Sequence, residues 1–161
     1  MLAKIFSSRQ LDPLVEQLAK LKKGIVLVGG CFDVLHMGHV VFLQKAKHVG
    51  DTLVVLLESD QRIKKLKGQT RPIHNQAERA QILAALEAVD YIVCLPTSMT
   101  DRDYDQIVSQ IKPQLIAITD GDAGITQKQR VASLIGAKIK EVTKKVGNYS
   151  TTQFLKDLSS K

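Results

Sequence analysis

The chain has 161 residues, 44% of them hydrophobic, and a formal net charge of +7. Its N-terminus lacks an apolar run of signal-peptide length, and no segment approaches about 18 uninterrupted apolar residues, which argues against secretion and membrane spanning. The positive charge favours an anionic partner, but only 4% of the residues are aromatic, which disfavours the stacking of nucleic-acid bases.

The length and composition predict a single domain over residues 1–161, with a leading helix in residues 1–23 and a core in residues 24–161. No long linker or low-complexity tract divides this sequence. Cys31 and Cys94 lie in or beside predicted buried strands. We therefore expect reduced thiols in a cytoplasmic protein, with a Cys31–Cys94 disulfide as the minor alternative.

The predicted elements alternate between helices and strands along the chain. The leading helix begins at Asp12-Pro13, an N-cap followed by a favoured first helical residue. Strands follow at residues 24–28, 52–57, 91–95, 115–119 and 138–142, separated by helices near residues 40–49, 75–87, 102–111 and 126–135, with a last helix from Ser150. Because the strands are continuous apolar runs, the pattern predicts an α/β fold in which helices cover both faces of a five-stranded parallel sheet.

The segment at residues 29–39, between the first of these strands and its helix, reads GGCFDVLHMGH. His36 and His39 are three residues apart at the start of the helix, beside free backbone N–H groups and the positive end of the helix dipole. Both imidazoles can donate hydrogen bonds to phosphate oxygens, and Gly38 leaves room for a polyphosphate near the backbone. The segment therefore predicts a phosphate-binding site.

Other interpretations of the two histidines remain open at this point. A zinc site needs three or four ligands, and no Cys-x-x-Cys or carboxylate accompanies them at matching spacing. They are also compatible with ordinary polar residues at a helix start. The dinucleotide fingerprint G-x-G-x-x-G and the Walker sequence are both absent, which disfavours those two nucleotide folds.

The sequence GCFDVLHMGH resembles the signature of the cytidylyltransferase-like nucleotidyltransferases, and Ser150-Thr151-Thr152 matches a second signature of that family. The resemblance implies a Rossmann-like fold whose ligands lie beyond the carboxyl ends of the strands. It also implies transfer of a nucleotidyl group from ATP or CTP to a phosphorylated small molecule, with release of pyrophosphate. Mg²⁺ is then expected to arrive with the nucleoside triphosphate rather than on a protein metal site, and a homodimer is expected.

The same resemblance assigns roles to individual residues. The expected catalytic residues are His36, His39, Lys64 and Lys67, the two lysines belonging to a loop over residues 58–67. Nucleotide binding is expected from Gly30, Cys31, Phe32, Asp33, Gly38, Asp122, Ser150, Thr151 and Thr152. Substrate phosphate is expected to bind Arg79 and Lys67.

Each of these roles has a structural alternative. The lysines are compatible with an exposed basic loop, and Arg79 with an ion pair to Glu78 or Asp60. Asp33 is expected to orient the histidines or the metal, or only to cap its turn. Asp122 fits a helix-initiating turn. Ser150 forms a capping-box pattern with Gln153, and Lys145 takes the place of an arginine that often precedes this segment in the family.

Within the family, the chain resembles the branch that makes ADP-heptose by transferring AMP from ATP to heptose 1-phosphate. The shared features are Cys31, Lys65-Leu66-Lys67-Gly68, Arg71-Pro72 and residues 84–90, whereas residues 120–130 depart from that branch. We expect a separate kinase to supply the phosphosugar. Glycerol-3-phosphate cytidylyltransferases and FAD synthetases, which adenylate FMN, remain alternatives, as does a non-catalytic nucleotide- or nucleic-acid-binding module.

Overall fold

The computed structural model describes residues 4–21, 24–144 and 150–160. Strands and helices alternate along these residues. In chain order they are β1 (Ile5–Ser7), α1 (Leu11–Leu21), β2 (Ile25–Gly30), α2 (Met37–His48), β3 (Thr52–Leu57), α3 (Asp60–Lys67), α4 (Gln76–Ala84), β4 (Tyr91–Cys94), α5 (Asp101–Ile111), β5 (Leu115–Thr119), α6 (Ile125–Ile135), β6 (Lys138–Thr143) and α7 (Thr151–Ser159).

The described strands form one parallel sheet in the order β1-β4-β3-β2-β5-β6. The predicted parallel α/β architecture is therefore confirmed, but the sheet has six strands rather than five. The extra strand, β1, pairs its Phe6 with Val93 at the edge of the sheet. With only three residues it is too short to give a periodic signal in the sequence.

Helices cover both faces of the sheet, as the continuous apolar strands predicted. On one face, α1, α5 and α6 pack against side chains such as Leu27 and Val54. On the other, α2 and α4 pack against the neighbouring residues of the same strands, including Val26 and Val55. Since both sets of strand residues are buried, the sheet is the middle layer of the fold.

The order of the strands places a crevice between β2 and β5. The chain leaves β2 for β3 on one side and later returns to β5 on the other side. In open α/β sheets, ligands bind outside the carboxyl ends of the strands at such a reversal of direction. The sequence GGCFDVLHMGH begins at this end of β2, so the topology places it at the expected binding edge.

The expected lysine loop is largely helical. Helix α3 begins after Ser59, whose hydroxyl accepts the Arg62 N–H at 3.2 Å, and it ends at Gly68, where φ is +101°. Its one buried residue, Ile63, anchors it to the protein. The prediction missed this helix because its two apolar residues, Ile63 and Leu66, are too few to give a clear amphipathic period.

Candidate functional site

A cavity of about 370 Å³, here called the main pocket, lies at the carboxyl edge of the sheet. It is bounded by the ends of β2, β5 and β6, the start of α2, the end of α3 and the start of α7. Among the described residues, its lining comprises Gly29, Gly30, Cys31, Phe32, His36, Gly38, His39, Phe42, Lys67, Thr119, Asp122, Thr143, Lys144, Ser150, Thr151 and Thr152. Most of the residues expected to bind nucleotide therefore meet in one place.

The turn between β2 and α2 has an uncommon backbone. Phe32 and Val34 have φ values of +45° and +51°, a left-handed region that a β-branched residue such as Val34 rarely adopts. A Cβ on Gly30 would lie 2.8 Å from a ring carbon of Phe32, so the folded-back phenyl ring requires glycine there. Strain of this kind persists only where surrounding contacts hold the backbone in place.

Asp33 supplies part of that restraint. Its carboxylate is 1% exposed and accepts hydrogen bonds from Arg71 Nε at 2.6 Å and from the backbone N–H groups of Ile73 and His74 at 3.0 and 3.2 Å. Burial alone would raise the pKa of Asp33, but these hydrogen bonds outweigh it and hold the pKa below its ordinary value. Asp33 thus ties the turn to the segment after α3 and does not line the main pocket. Its expected nucleotide contact stays a prediction.

The start of α7 also restrains the turn between β2 and α2. The Thr151 hydroxyl donates to the Asp33 carbonyl oxygen at 2.6 Å, which fastens α7 to the turn across 118 residues of sequence. Ser150 caps α7 by accepting the Gln153 N–H at 3.0 Å. The other half of the predicted capping box does not form, because the Gln153 side chain bonds to Asp157 instead. The expectation for Lys145 lies outside the described residues.

His36 and His39 stack in the main pocket, with ring centroids 3.8 Å apart and an interplanar angle of 21°. His36 is the N-cap of α2, and its backbone N–H donates to His39 Nδ1 at 3.4 Å. Burial, the His36 ring and Lys67 lower the pKa of His39 to about 3. Partial burial and Lys67 also lower the pKa of His36. His39 is therefore neutral at physiological pH, and since its Nδ1 accepts a hydrogen bond, its proton is on Nε2.

The three lysines of α3 have different positions. Lys67, the last residue of the helix, lines the main pocket. Lys64 lines a separate cavity with Ser59, Asp60 and Gln61. The structure thus brings only Lys67 of the two expected catalytic lysines to the histidines.

Arg79 is buried below the pocket rather than in it. Its guanidinium donates to the carbonyl oxygens of His74 at 3.0 Å, Cys31 at 2.6 Å and Glu58 at 2.9 Å, and to the Asp60 carboxylate at 2.6 Å. The side chain is fully buried. This geometry matches the structural alternative of an ion pair to Asp60, and Arg79 is not part of the lining of the main pocket. Arg79 instead fixes the ends of β2 and β3 relative to each other.

Asp122 lies both at the main pocket and at a helix-initiating turn. It lines the main pocket, and its carboxylate accepts the Gly124 N–H at 2.8 Å at the start of α6. Lys128, which is largely buried, forms an ion pair with the same carboxylate at 2.6 Å. Lys128 was not anticipated, because a lysine one turn into a predicted helix gives no sign that it turns back toward the preceding loop.

Cys31 lines the main pocket, and burial raises the pKa of its thiol despite the opposing effect of Lys67. Both Cys31 and Cys94 are free thiols, as expected.

Thr119 and Thr143, the last residues of β5 and β6, also line the pocket but were not predicted. Their positions at strand ends on the binding edge were the available signal.

The described residues form no group of three or more His, Cys, Asp or Glu side chains placed to hold a metal ion. Asp122, a carboxylate of the pocket lining, is already engaged by Lys128 and Gly124. The described side chains therefore do not fit a protein-held Mg²⁺.

In the part of the chain that the structure describes, no helix is both long and apolar enough to cross a membrane.

Comparisons with known proteins find a matching family model and similar chains. Residues 27–160 match the family model described as cytidylyltransferase-like. The bifunctional protein HldE of Aliarcobacter butzleri is 41% identical over 147 residues, covering 91% of this chain and 29% of the relative. The protein of the same name from Geobacter metallireducens is 40% identical over 156 residues, covering 95% and 30%. The chain thus spans less than a third of the length of these curated relatives.

Two solved structures share the fold. A lipopolysaccharide core biosynthesis protein from Thermoplasma volcanium has a TM-score of 0.59 and 26% identity, covering 80% of this chain and 99% of that one. A pantoate-beta-alanine ligase from Francisella tularensis has a TM-score of 0.64 and 18% identity, covering 88% and 67%. At that identity the second likeness concerns the fold alone.

Proposed function

Because the chain belongs to the cytidylyltransferase-like family, we propose that it transfers an adenylyl group from ATP to a sugar 1-phosphate, with heptose 1-phosphate as the acceptor. The observation that carries this proposal is the meeting of His36, His39, Lys67 and the start of α7 around one cavity. The HldE relatives support a heptose acceptor, since HldE proteins carry the adenylyltransferase of ADP-heptose synthesis. A homodimer, expected from the family resemblance, belongs to the same proposal.

In the proposed reaction, a phosphate oxygen of the acceptor attacks the α-phosphorus of ATP. The bond from the α-phosphorus to the oxygen that bridges to the β-phosphorus breaks, and pyrophosphate leaves with that electron pair. A phosphate monoester is already a nucleophile near neutral pH, so the protein needs neither a covalent intermediate nor a strong base. Catalysis then depends on positioning the two anions and stabilising the charge that develops on the leaving group.

The described residues supply such stabilisation from three directions. Neutral His39 offers its Nε2–H, and the stacked His36 ring lies beside it at the positive end of α2. Lys67 brings a positive charge from the end of α3. The N-terminal residues of α7, Thr151 and Thr152, bring backbone N–H groups and a second helix dipole.

Mg²⁺ is proposed to enter with the phosphates of ATP, where it would screen their charge. The described side chains give it no dedicated site, and none of the roles above depends on it.

The experiment that tests this function measures pyrophosphate release by the purified protein with ATP or CTP against heptose 1-phosphate, glycerol 3-phosphate and FMN. We expect turnover with ATP and heptose 1-phosphate, and a product of the mass of ADP-heptose. Turnover only with CTP and glycerol 3-phosphate, or only with ATP and FMN, would replace the proposed substrates. Salt-sensitive nucleic-acid binding without pyrophosphate release in any reaction would favour a non-catalytic module.

A pair of histidine variants tests the site itself. His39→Asn keeps an acceptor near the His36 N–H but removes the Nε2–H donor, so kcat is expected to fall about 10²- to 10³-fold. His48→Asn, which changes an exposed histidine at the end of the same helix, is expected to leave kcat unchanged. Equal kcat values for both variants would exclude His39 from the reaction.

A further inference from the structure

A second cavity, here called the α3–α7 groove, adjoins the main pocket. Its volume is about 380 Å³, and its lining includes Lys67, Thr70, Arg71, Thr152, Lys156 and Ser159. Lys67 and Thr152 line both cavities. The groove and the main pocket therefore share a wall at the point where the phosphates are proposed to react.

Arg71 gives the groove a buried cation with unused donor capacity. The side chain is 5% exposed, and its Nε donates to Asp33 at 2.6 Å. Its Nη2 is buried and has no hydrogen-bond acceptor among the described residues. A buried N–H group of a charged side chain is costly to leave unpaired. An exception of this kind requires a reason, and a ligand in the adjoining groove supplies one.

The rest of the groove has the chemistry of an anion site. Lys67 and Lys156 add two positive charges beside Arg71, whose own charge is paired with Asp33, and the hydroxyl groups of Thr70 and Thr152 add donors. No carboxylate is part of its lining in the described ranges of the chain. A phosphate group, with several oxygens and up to two negative charges, suits a guanidinium fork flanked by ammonium groups.

We propose that the α3–α7 groove binds a phosphate group beside the transfer site, and that Arg71 and Lys156 are its ligands. The phosphate belongs either to the acceptor or to the distal end of the nucleoside triphosphate. The inference rests on the proposed function only for the identity of that carrier, since the charge of the groove and the unpaired Arg71 Nη2 do not depend on the base or the sugar.

Three variants of the full chain test the groove. Lys156→Ala removes an exposed lysine that lines the groove but not the main pocket. Arg71→Lys keeps a cation near Asp33 and removes the terminal guanidinium nitrogens. Lys138→Ala is the matched control, because Lys138 is an exposed lysine at the amino end of β6, away from the binding edge.

The first measurement is the affinity for inorganic pyrophosphate by titration calorimetry, which needs no knowledge of the acceptor. The second is the pair of KM values for the two substrates of whichever reaction the protein catalyses. If the distal phosphates of the nucleotide occupy the groove, Lys156→Ala and Arg71→Lys should weaken pyrophosphate binding and raise the nucleotide KM, each about 5- to 10-fold. If the acceptor phosphate occupies it, only the acceptor KM should rise by that factor.

Wild-type values of all three quantities in Lys156→Ala would overturn the proposal, and so would an equal loss in Lys138→Ala. Lys156→Ala keeps the test decisive if Arg71→Lys does not fold, because Lys156 is exposed. Activity with CTP or with another acceptor would overturn the proposed substrates and leave the groove intact. Activity with ATP and heptose 1-phosphate that neither groove variant changes would support the proposed substrates and overturn the groove proposal.

Discussion

Arg79 and Arg71 are both buried beside the turn that follows β2, but their donors are used differently. Arg79 donates to three carbonyl oxygens and one carboxylate. Arg71 donates to Asp33 through Nε, and its Nη2 has no acceptor among the described residues. The difference teaches that burial and charge do not by themselves mark a binding residue. The number of donors left without an acceptor separates the arginine that holds the scaffold from the one that we propose as a ligand of phosphate.

Arg79→Leu is the variant with the largest expected effect, and it tests the structural role of Arg79. Removal of a fully buried guanidinium leaves the carbonyl oxygens of Cys31 and Glu58 without a donor and the Asp60 carboxylate without its partner. We expect the free energy of unfolding in urea to fall by about 3–5 kcal/mol. Arg79→Lys should recover only part of this loss, since one ammonium group cannot reach all four acceptors.

The control for Arg79 is Arg102→Leu, at an exposed position in the first turn of α5. Its free energy of unfolding should stay within about 0.5 kcal/mol of wild type. If Arg79→Leu were as stable as this control and raised only a substrate KM, Arg79 would contact substrate directly, and the contrast with Arg71 would fail.

A smaller effect distinguishes two lysines of α3. Lys67 lines both the main pocket and the α3–α7 groove, whereas Lys64, one turn earlier, lines a different cavity. Lys67→Ala is expected to lower kcat/KM about 10- to 100-fold, the loss of a charge-assisted hydrogen bond worth about 1.5–3 kcal/mol. Lys64→Ala should stay within about twofold of wild type. Equal losses in steady-state kinetics would show that α3 contributes charge without regard to position.

These contrasts also separate what the sequence could predict from what it could not. The parallel sheet follows from continuous apolar runs such as β3, which is buried along its whole length. The convergence of His36 and Thr151 follows from the topology, because both come after strands that end at the same edge. Periodicity and position along the chain are therefore enough for the architecture and for the location of the pocket.

Side-chain direction is a different matter. Whether Arg79 or Arg71 reaches a cavity depends on which acceptors surround each guanidinium, and those acceptors come from residues as distant in sequence as Cys31 and Asp33. Spacing within the chain carries no record of such contacts. The same reason explains why the spacing of residues does not predict the buried ion pair between Asp33 and Arg71.

The comparison extends to two titratable groups of the turn and the main pocket. Asp33 is compensated by Arg71 and two backbone N–H groups, so its pKa is lowered and the charged form is favoured. His39 has no comparable compensation, and burial is the first reason that its pKa falls to about 3. Asp33 thus contributes stability that is present above its unfolded pKa and is lost as the pH falls through its lower folded value.

His39 is a base rather than an acid, but its lowered pKa changes the stability of the protein with pH in the same direction as that of Asp33. Its pKa is about 3 when folded and 6.5 in a model peptide, so between these values the unfolded state binds more protons than the folded state. Acid in this range should therefore destabilise the protein, by at most about 1.4 kcal/mol for each pH unit from this residue. His39→Asn removes the effect while leaving that of Asp33 in place.

The measurement is the free energy of unfolding of wild type and of His39→Asn in urea between pH 7 and pH 4. We expect the wild-type value to fall relative to the variant as the pH drops below about 6. Saturating nucleotide should reduce the difference in slope, because a phosphate beside the imidazole favours its charged form. Parallel curves without nucleotide would mean that His39 titrates normally and is not held neutral by its burial in the main pocket.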